Sequence, residues 1–210
     1  MLAVFDSPIR PSRPFRLRAE TTLGVVIAIA GAFGLALGLS RVFGRGADRQ
    51  PEAALTVTTP RVVVLKSKRA LHLFDGDRLI RTYPIDLGLE PIGQKRRKDD
   101  ARTPVGAFRV VTKNADSPFH RFIGLDYPNE EAVEWGLARG LVSMGEAKSI
   151  REALAAGRVP NWATALGGGV GIHGRRRGFD WTGGCAAVSD EAVEELFDVL
   201  RIGDRVEILP

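Results

Sequence analysis

Cys185 is the only cysteine in 210 residues and stands twelve positions after His173, one of three histidines. A thiol reacts as the thiolate, and an imidazole that titrates near neutrality is its usual base. Glycines surround both residues: Gly171 and Gly174 flank Ile172-His173, while Gly183 and Gly184 precede the cysteine. Glycine lets the backbone approach a substrate and lets amide N–H groups converge on one oxygen. The stretch therefore reads as a nucleophile, its base and an oxyanion pocket shaped by Gly174, Gly183 and Gly184. An imidazolium beside the sulfur would hold the thiol below the free-cysteine value of about 8.5. The plainer fate of a lone cysteine is that of a small buried hydrophobe without reactivity.

Two short apolar runs position the pair. Gly169 to Ile172 delivers His173 at its end, and Ala186 to Val188 begins directly after Cys185. Side chains at strand ends are what a rigid scaffold presents to a cleft.

Ile172-His173-Gly174 followed by Thr182-Gly183-Gly184-Cys185 resembles the histidine and cysteine motifs of the murein L,D-transpeptidases, whose catalytic domain carries His-Gly and then Ser/Thr-x-Gly-Cys. Upstream, Arg102-Thr103-Pro104-Val105-Gly106-Ala107-Phe108 resembles the family's Thr-Pro-x-Gly-x-Phe/Tyr segment. Phe119-His120, Tyr127-Pro128-Asn129 and the Trp181-Thr182 step resemble a branch that reads Asp-Trp-Thr-x-Gly-Cys. The resemblance covers about residues 61–210. It implies a mixed β-sandwich, no cofactor, and peptidoglycan stem peptides as substrate. It also implies attack by Cys185 on the carbonyl that precedes a D-alanine, giving a thioester, with His173 as base and then as acid to the leaving amine. Amide groups around Gly184 and Cys185 would stabilise the oxyanion, and Gly174 would let a carbonyl or water orient the imidazole. Thr182 and His120 are implied to face the substrate.

The chain departs from that pattern at two positions. Ala187 stands where many members carry an arginine two residues after the cysteine, and Gly183 where a histidine is common. Arg175, Arg176 and Arg177 are candidate replacements for the missing cation toward a substrate carboxylate. Their plainer reading is a solvated loop. The Cys-x-Ala pattern resembles enzymes that detach lipoprotein from peptidoglycan. Transfer to an amine, for cross-linking or for attachment of an outer-membrane lipoprotein, and transfer to water both follow from the resemblance.

The net charge of +5 and a pI near 9.8 allow nucleic acid, a membrane surface or an acidic polymer as partner. Zinc-finger spacing, an RNA-binding aromatic signature and a basic helical stripe are all missing, which excludes nucleic acid. Two other function classes stay open. One is a metal site of Cys185, His173 and His120, which lacks the tight ligand pair such sites favour. The other is an idle wall-binding module with an unreactive thiol.

The chain divides into four stretches. Residues 1–20 form a basic arm with Arg10, Arg13, Arg16 and Arg18. Residues 21–40 run without a charge, long enough for a bilayer-spanning signal anchor. The arginines before the span favour an inner N-terminus, hence a single-pass inner-membrane protein with its catalytic domain in the periplasm. A cleaved signal peptide, with Ala36-Leu37-Gly38 near its end, is the alternative. A linker at 41–59 leads to the domain at 60–210.

That domain is predicted to be α+β and rich in strands. Arg61–Leu65, Ala70–Phe74 and Leu79–Ile85 read as a meander turned by Asp75-Gly76-Asp77. Lys95 to Asp100 is too charged for a strand and reads as a loop, with substrate carboxylates as its minority use. Ala107–Thr112 and Phe119–Leu125 read as strands, and residues 130–166 as a helical insertion or lid. Ser189 caps an amphipathic helix, and Arg205–Leu209 closes the sheet.

Overall fold

The computed structural model describes residues 55–210. The basic arm, the span at 21–40 and the linker as far as residue 54 lie outside the described residues. Among the described residues no helix is long and apolar enough to cross a membrane.

Eight strands and three α-helices follow in chain order. The strands are β1 (Pro60–Leu65), β2 (Ala70–Asp75), β3 (Arg78–Pro84), β4 (Gly106–Ser117), β5 (His120–Leu125), β6 (Gly171–His173), β7 (Ala186–Ala187) and β8 (Arg205–Leu209). Helices α1 (Glu130–Leu137) and α2 (Met144–Ala155) fall between β5 and β6, and α3 (Asp190–Val199) between β7 and β8. The sheet order is β3-β2-β1-β8-β4-β5-β6-β7. The β1–β8 and β6–β7 pairs are parallel and the others antiparallel, so the sheet is mixed.

The expected mixed sandwich takes the form of one curled strand order that bends across β4. Its first residues, Gly106 to Arg109, pair with β8, and its later ones pair with β5. The two ends of the order then meet. Asp86, just past β3, exchanges both backbone hydrogen bonds with Ala187 of β7, each 2.9 Å. The sheet thus returns on itself beside the residue that follows Cys185 by two.

Local chemistry accounts for the elements. In β8, Val206 and Ile208 are buried while Arg205, Glu207 and Leu209 face out, the two-residue alternation of a half-buried strand. Gly76 takes φ +59 in the β2–β3 turn, a conformation glycine adopts freely. Ser143 and Glu146 form a reciprocal capping box at the start of α2, and Ser189 accepts the Ala192 amide to start α3. The α3 stripe Ala192, Val193, Leu196 and Val199 is buried. Val133 of α1, Ile150 of α2 and Leu166 are also fully buried, so the insertion at 130–166 contributes to the core. Burial of each such large aliphatic side chain is worth about 1.5–3 kcal/mol.

Candidate active site

The two chemistry-bearing residues arrive on neighbouring parallel strands. β6 and β7 pair with Ile172 opposite Ala186 and His173 opposite Ala187. Continued one step back, that register sets Cys185 beside Gly171 and on the same face as His173. Gly171 has no room for a side chain, because a Cβ there would lie 2.3 Å from the Ile123 carbonyl oxygen. The absence of that side chain brings its amide to the sulfur, where it supports the thiolate. The thiol itself points at the Gly169 carbonyl, Sγ to O 3.4 Å.

The turn that carries the cysteine is fixed from three sides. Gly184 has φ +138, and a Cβ there would stand 2.6 Å from the Arg102 carbonyl oxygen, so only glycine fits. The Thr182 hydroxyl donates to the Cys185 carbonyl at 2.8 Å and accepts the Gly184 amide at 3.1 Å. The Leu87 carbonyl accepts the amides of both Trp181 and Thr182 at 3.1 Å. Asp180 accepts from Leu87 N at 2.8 Å and forms an ion pair with Arg69 at 2.6 Å.

These contacts bear on two of the sequence expectations. Thr182 is 3 % exposed and shapes the turn from within. The Gly184 amide, expected to stabilise an oxyanion, is engaged by the Thr182 hydroxyl. Gly183, by contrast, is exposed with open space around it.

His173 is buried, and its Nδ1 lies 2.7 Å from the carbonyl oxygen of Gly174. A carbonyl can only accept, so Nδ1 carries the hydrogen and Nε2 keeps its lone pair. The orienting group is thus the main-chain carbonyl of Gly174 itself, which answers the expectation that a carbonyl or water would serve. Gly174 is again a position that excludes a side chain: its Cβ would meet Asp190 Oδ1 at 2.5 Å. Phe119 stacks on the imidazole at 4.7 Å between centroids, and Trp181 meets it edge-on at 5.7 Å. Burial pushes the His173 pKa down, while the bond to Gly174 pulls the other way.

The thiol departs from expectation. Enclosure pushes it up to about 11, against the support of the Gly171 amide and the Lys95 ammonium. Enclosure of both groups thus opposes a resting thiolate–imidazolium pair.

Lys95 lies beside this turn. Its Nζ would lie 3.8 Å from a Cβ on Gly184, and it forms an ion pair with Asp100 at 2.8 Å. Asp100 organises the charged loop, accepting the amides of Arg96 at 2.7 Å, Arg97 at 3.0 Å and Arg102 at 3.1 Å. Hydrogen bonds to its charged form hold its pKa down against the effect of burial.

The arginine loop and His120 are held by acidic partners. Buried Asp86 accepts the amides of Arg177 at 2.6 Å and Gly178 at 3.0 Å, and pairs with Arg176 at 3.3 Å. The Arg177 guanidinium lies over Trp181 at 3.9 Å, and the Arg175 amide donates to Asp190 at 2.7 Å. The loop is thus tied to the site's frame through Asp86. His120, expected at the pocket rim, turns its Nε2 to Glu194 of α3 at 2.7 Å. Its neighbour Phe119 is the residue that reaches the imidazole. Among the described residues no three His, Cys, Asp or Glu side chains converge as metal ligands, so Cys185, His173 and His120 do not form the alternative metal site.

Sequence reasoning missed Asp86, Lys95, Phe119, Trp181 and the Arg69–Asp180 pair as parts of the site. Phe119, Asp180 and Trp181 lie in the quoted motifs and Lys95 in the charged loop, so these were within reach; Asp86 and Arg69 act across separations that no local pattern marks.

A family model described as the L,D-transpeptidase catalytic domain matches residues 59–208. No curated protein matches the chain. Among solved structures, an L,D-transpeptidase from Xylanimonas cellulosilytica is 19 % identical, over 73 % of this chain and 62 % of that one, with a TM-score of 0.45. The helical cell shape determining protein Pgp2 from Campylobacter jejuni is 20 % identical, over 71 % and 47 %, with a TM-score of 0.47. Mycobacterium tuberculosis L,D-transpeptidase 1 is 16 % identical, over 72 % and 62 %, with a TM-score of 0.40. The chain spans less than two thirds of the length of each of the three.

Proposed function

This chain belongs to the L,D-transpeptidase catalytic domain family, and on that premise we propose that it processes peptidoglycan stem peptides through a thioester on Cys185. The observation that carries the reading is the hydrogen bond from His173 Nδ1 to the Gly174 carbonyl, 2.7 Å. It leaves Nε2 as a base on the sheet face that Cys185 shares.

The steps follow from that arrangement. The thiol leaves the Gly169 carbonyl by rotation about χ1 and gives its proton to His173 Nε2 as sulfur attacks the carbonyl carbon before a D-alanine. The C–N bond breaks, His173 returns the proton to the departing amine, and free D-alanine leaves a thioester on Cys185. An amine of a second stem peptide or of a lipoprotein then takes the acyl group and yields an amide. Water in the same place yields a carboxylic acid and makes the enzyme a murein hydrolase. The Trp-Thr-x-Gly-Cys branch, with Ala187 in place of an arginine, motivates keeping water among the acceptors.

Incubation of the full chain with disaccharide-tetrapeptide and with lipoprotein-linked murein fragments, read by mass spectrometry, tests the proposal. It predicts release of D-alanine and an acyl adduct on Cys185 that is missing from Cys185→Ser. Cross-linked dimers identify an amine acceptor and tripeptides identify water. Stem peptides recovered intact, with no adduct, would refute the reading. We place the domain outside the cytoplasm on the strength of residues 21–40, so a reporter fused after Pro210 should be active only there; activity inside reverses the topology.

A further inference from the structure

Lys66 is a buried charge that the catalytic arrangement does not use. It sits in the 3-10 turn Lys66–Lys68 after β1 and is 3 % exposed. Its ammonium donates to the Gly93 and Thr103 carbonyl oxygens, each at 2.7 Å. Neither acceptor carries a charge, and among the described residues no carboxylate pairs with it. Burial, with Arg102 and Arg69 adding to the local positive field, pushes its pKa down to about 8. Asp100 supplies a weaker opposing charge from a distance, with no direct ion pair to the ammonium; a buried cation so weakly balanced is costly.

Beside it lies a cavity of about 460 Å³, a volume suited to a small molecule, whose wall includes Lys66, Pro91, Ile92, Arg96 and Val105. The other polar groups of the wall are already engaged. The Gln94 amide bonds Val105 on both sides at 2.7 Å, Ser67 Oγ donates to the Pro210 carbonyl at 3.0 Å, Arg69 is held by Asp180, and the wall's carboxylate, Glu131, accepts from Gln94 at 3.4 Å and lies 3.7 Å from Arg96. A ligand would find apolar walls, one cation with a hydrogen to spare, and few unused partners for further polar groups. Ile92 is 86 % exposed at the cavity and would gain cover from an apolar body.

We propose that this cavity binds a small aliphatic carboxylate, its head on Lys66 Nζ and its chain against Pro91, Ile92 and Val105. Two of the three ammonium hydrogens go to Gly93 and Thr103, and the third goes to a carboxylate oxygen. Arg96, which approaches Glu131 at 3.7 Å and lies over Trp135 at 5.0 Å, adds positive charge. An apolar alcohol lacks the charge that Lys66 calls for, and an amine brings the wrong sign. The rival account is that Lys66 simply fastens residues 93 and 103 together, with the cavity as incidental space.

Isothermal titration of the full chain in lipid nanodiscs, with heats from empty discs subtracted, separates the two. Hexanoate, hexanol and hexylamine are the probes. The proposal expects one hexanoate per chain, hexanol at least tenfold weaker, and no saturable hexylamine binding. Val105→Phe, which fills the cavity and leaves Lys66 in place, should abolish hexanoate binding. Lys66→Met should reduce it to the level of hexanol. Equal binding of hexanoate and hexanol, no saturable hexanoate binding, or binding retained in Val105→Phe would overturn the proposal. If Lys66→Met does not fold, the probe comparison and Val105→Phe decide alone.

Discussion

Alkylation of Cys185 as a function of pH tests the electrostatics of the site directly, because a single cysteine leaves no ambiguity about which residue reacts. With the thiol pushed up to about 11, about one molecule in 3,000 carries a thiolate at pH 7.5, against about one in ten for a free thiol near 8.5. The more basic thiolate is the better nucleophile and recovers about tenfold, leaving iodoacetamide roughly 30-fold slower than with free cysteine. The rate, read by intact-mass spectrometry, should climb about tenfold per pH unit up to pH 10 without a plateau. Lys95→Met removes a cation that opposes the effect of burial, so its rate at fixed pH should fall further. Pairing that change with Asp100→Asn controls for the carboxylate left behind. A plateau below pH 9 in the wild-type protein would show a thiolate already poised by His173 and refute the account of a neutral resting pair.

Three further outcomes follow. Gly184→Ala forces a side chain onto φ +138 and against the Arg102 carbonyl; strain of about 1–3 kcal/mol should lower Tm by several degrees, and an unchanged Tm contradicts the assigned backbone. Burial holds His173 below the ordinary imidazole pKa, so the folded chain binds fewer protons than the unfolded one, and the stability present above pH ~6.5 is lost as pH falls below it. Wild-type Tm should therefore drop more between pH 7 and 5 than that of His173→Gln; equal slopes remove His173 from the acid response. His120→Ala loses a half-exposed pair with Glu194 and should change kcat/KM by less than about twofold, whereas a tenfold rise in KM would restore it to the substrate site.

What could be read from the sequence was whatever rests on local chemistry. The Asp75-Gly76-Asp77 turn and the Ser189 cap are each decided within a few residues, and each was legible. β4 was not fully legible: it runs to Ser117, while the apolar pattern stops near Thr112. Its last residues are polar and largely exposed, held by pairing with β5 and not by burial, so period-2 hydrophobicity has nothing to mark there. The site divides in the same way. Cys185 and His173 are announced by neighbouring glycines. Asp86 is not, because its partners Arg176, Arg177 and Gly178 lie about ninety residues away and nothing near Asp86 signals them.

The identity of the group behind His173 explains how a half-buried thiol can serve as the proposed nucleophile. A carboxylate in that place would stabilise an imidazolium strongly and favour a thiolate–imidazolium pair before any substrate arrived. The Gly174 carbonyl is neutral, so it fixes the tautomer and the ring plane while giving a charged ring less support. The hydrogen on Sγ is meanwhile held by Gly169 O. Under the proposed mechanism, ionisation is then deferred to the moment when sulfur meets an electrophilic carbonyl, and proton transfer to Nε2 accompanies bond formation. Phe119 and Trp181 maintain that condition by covering the ring: removing either would let water reach the imidazole, raise its pKa toward the ordinary value and weaken the coupling between base and nucleophile.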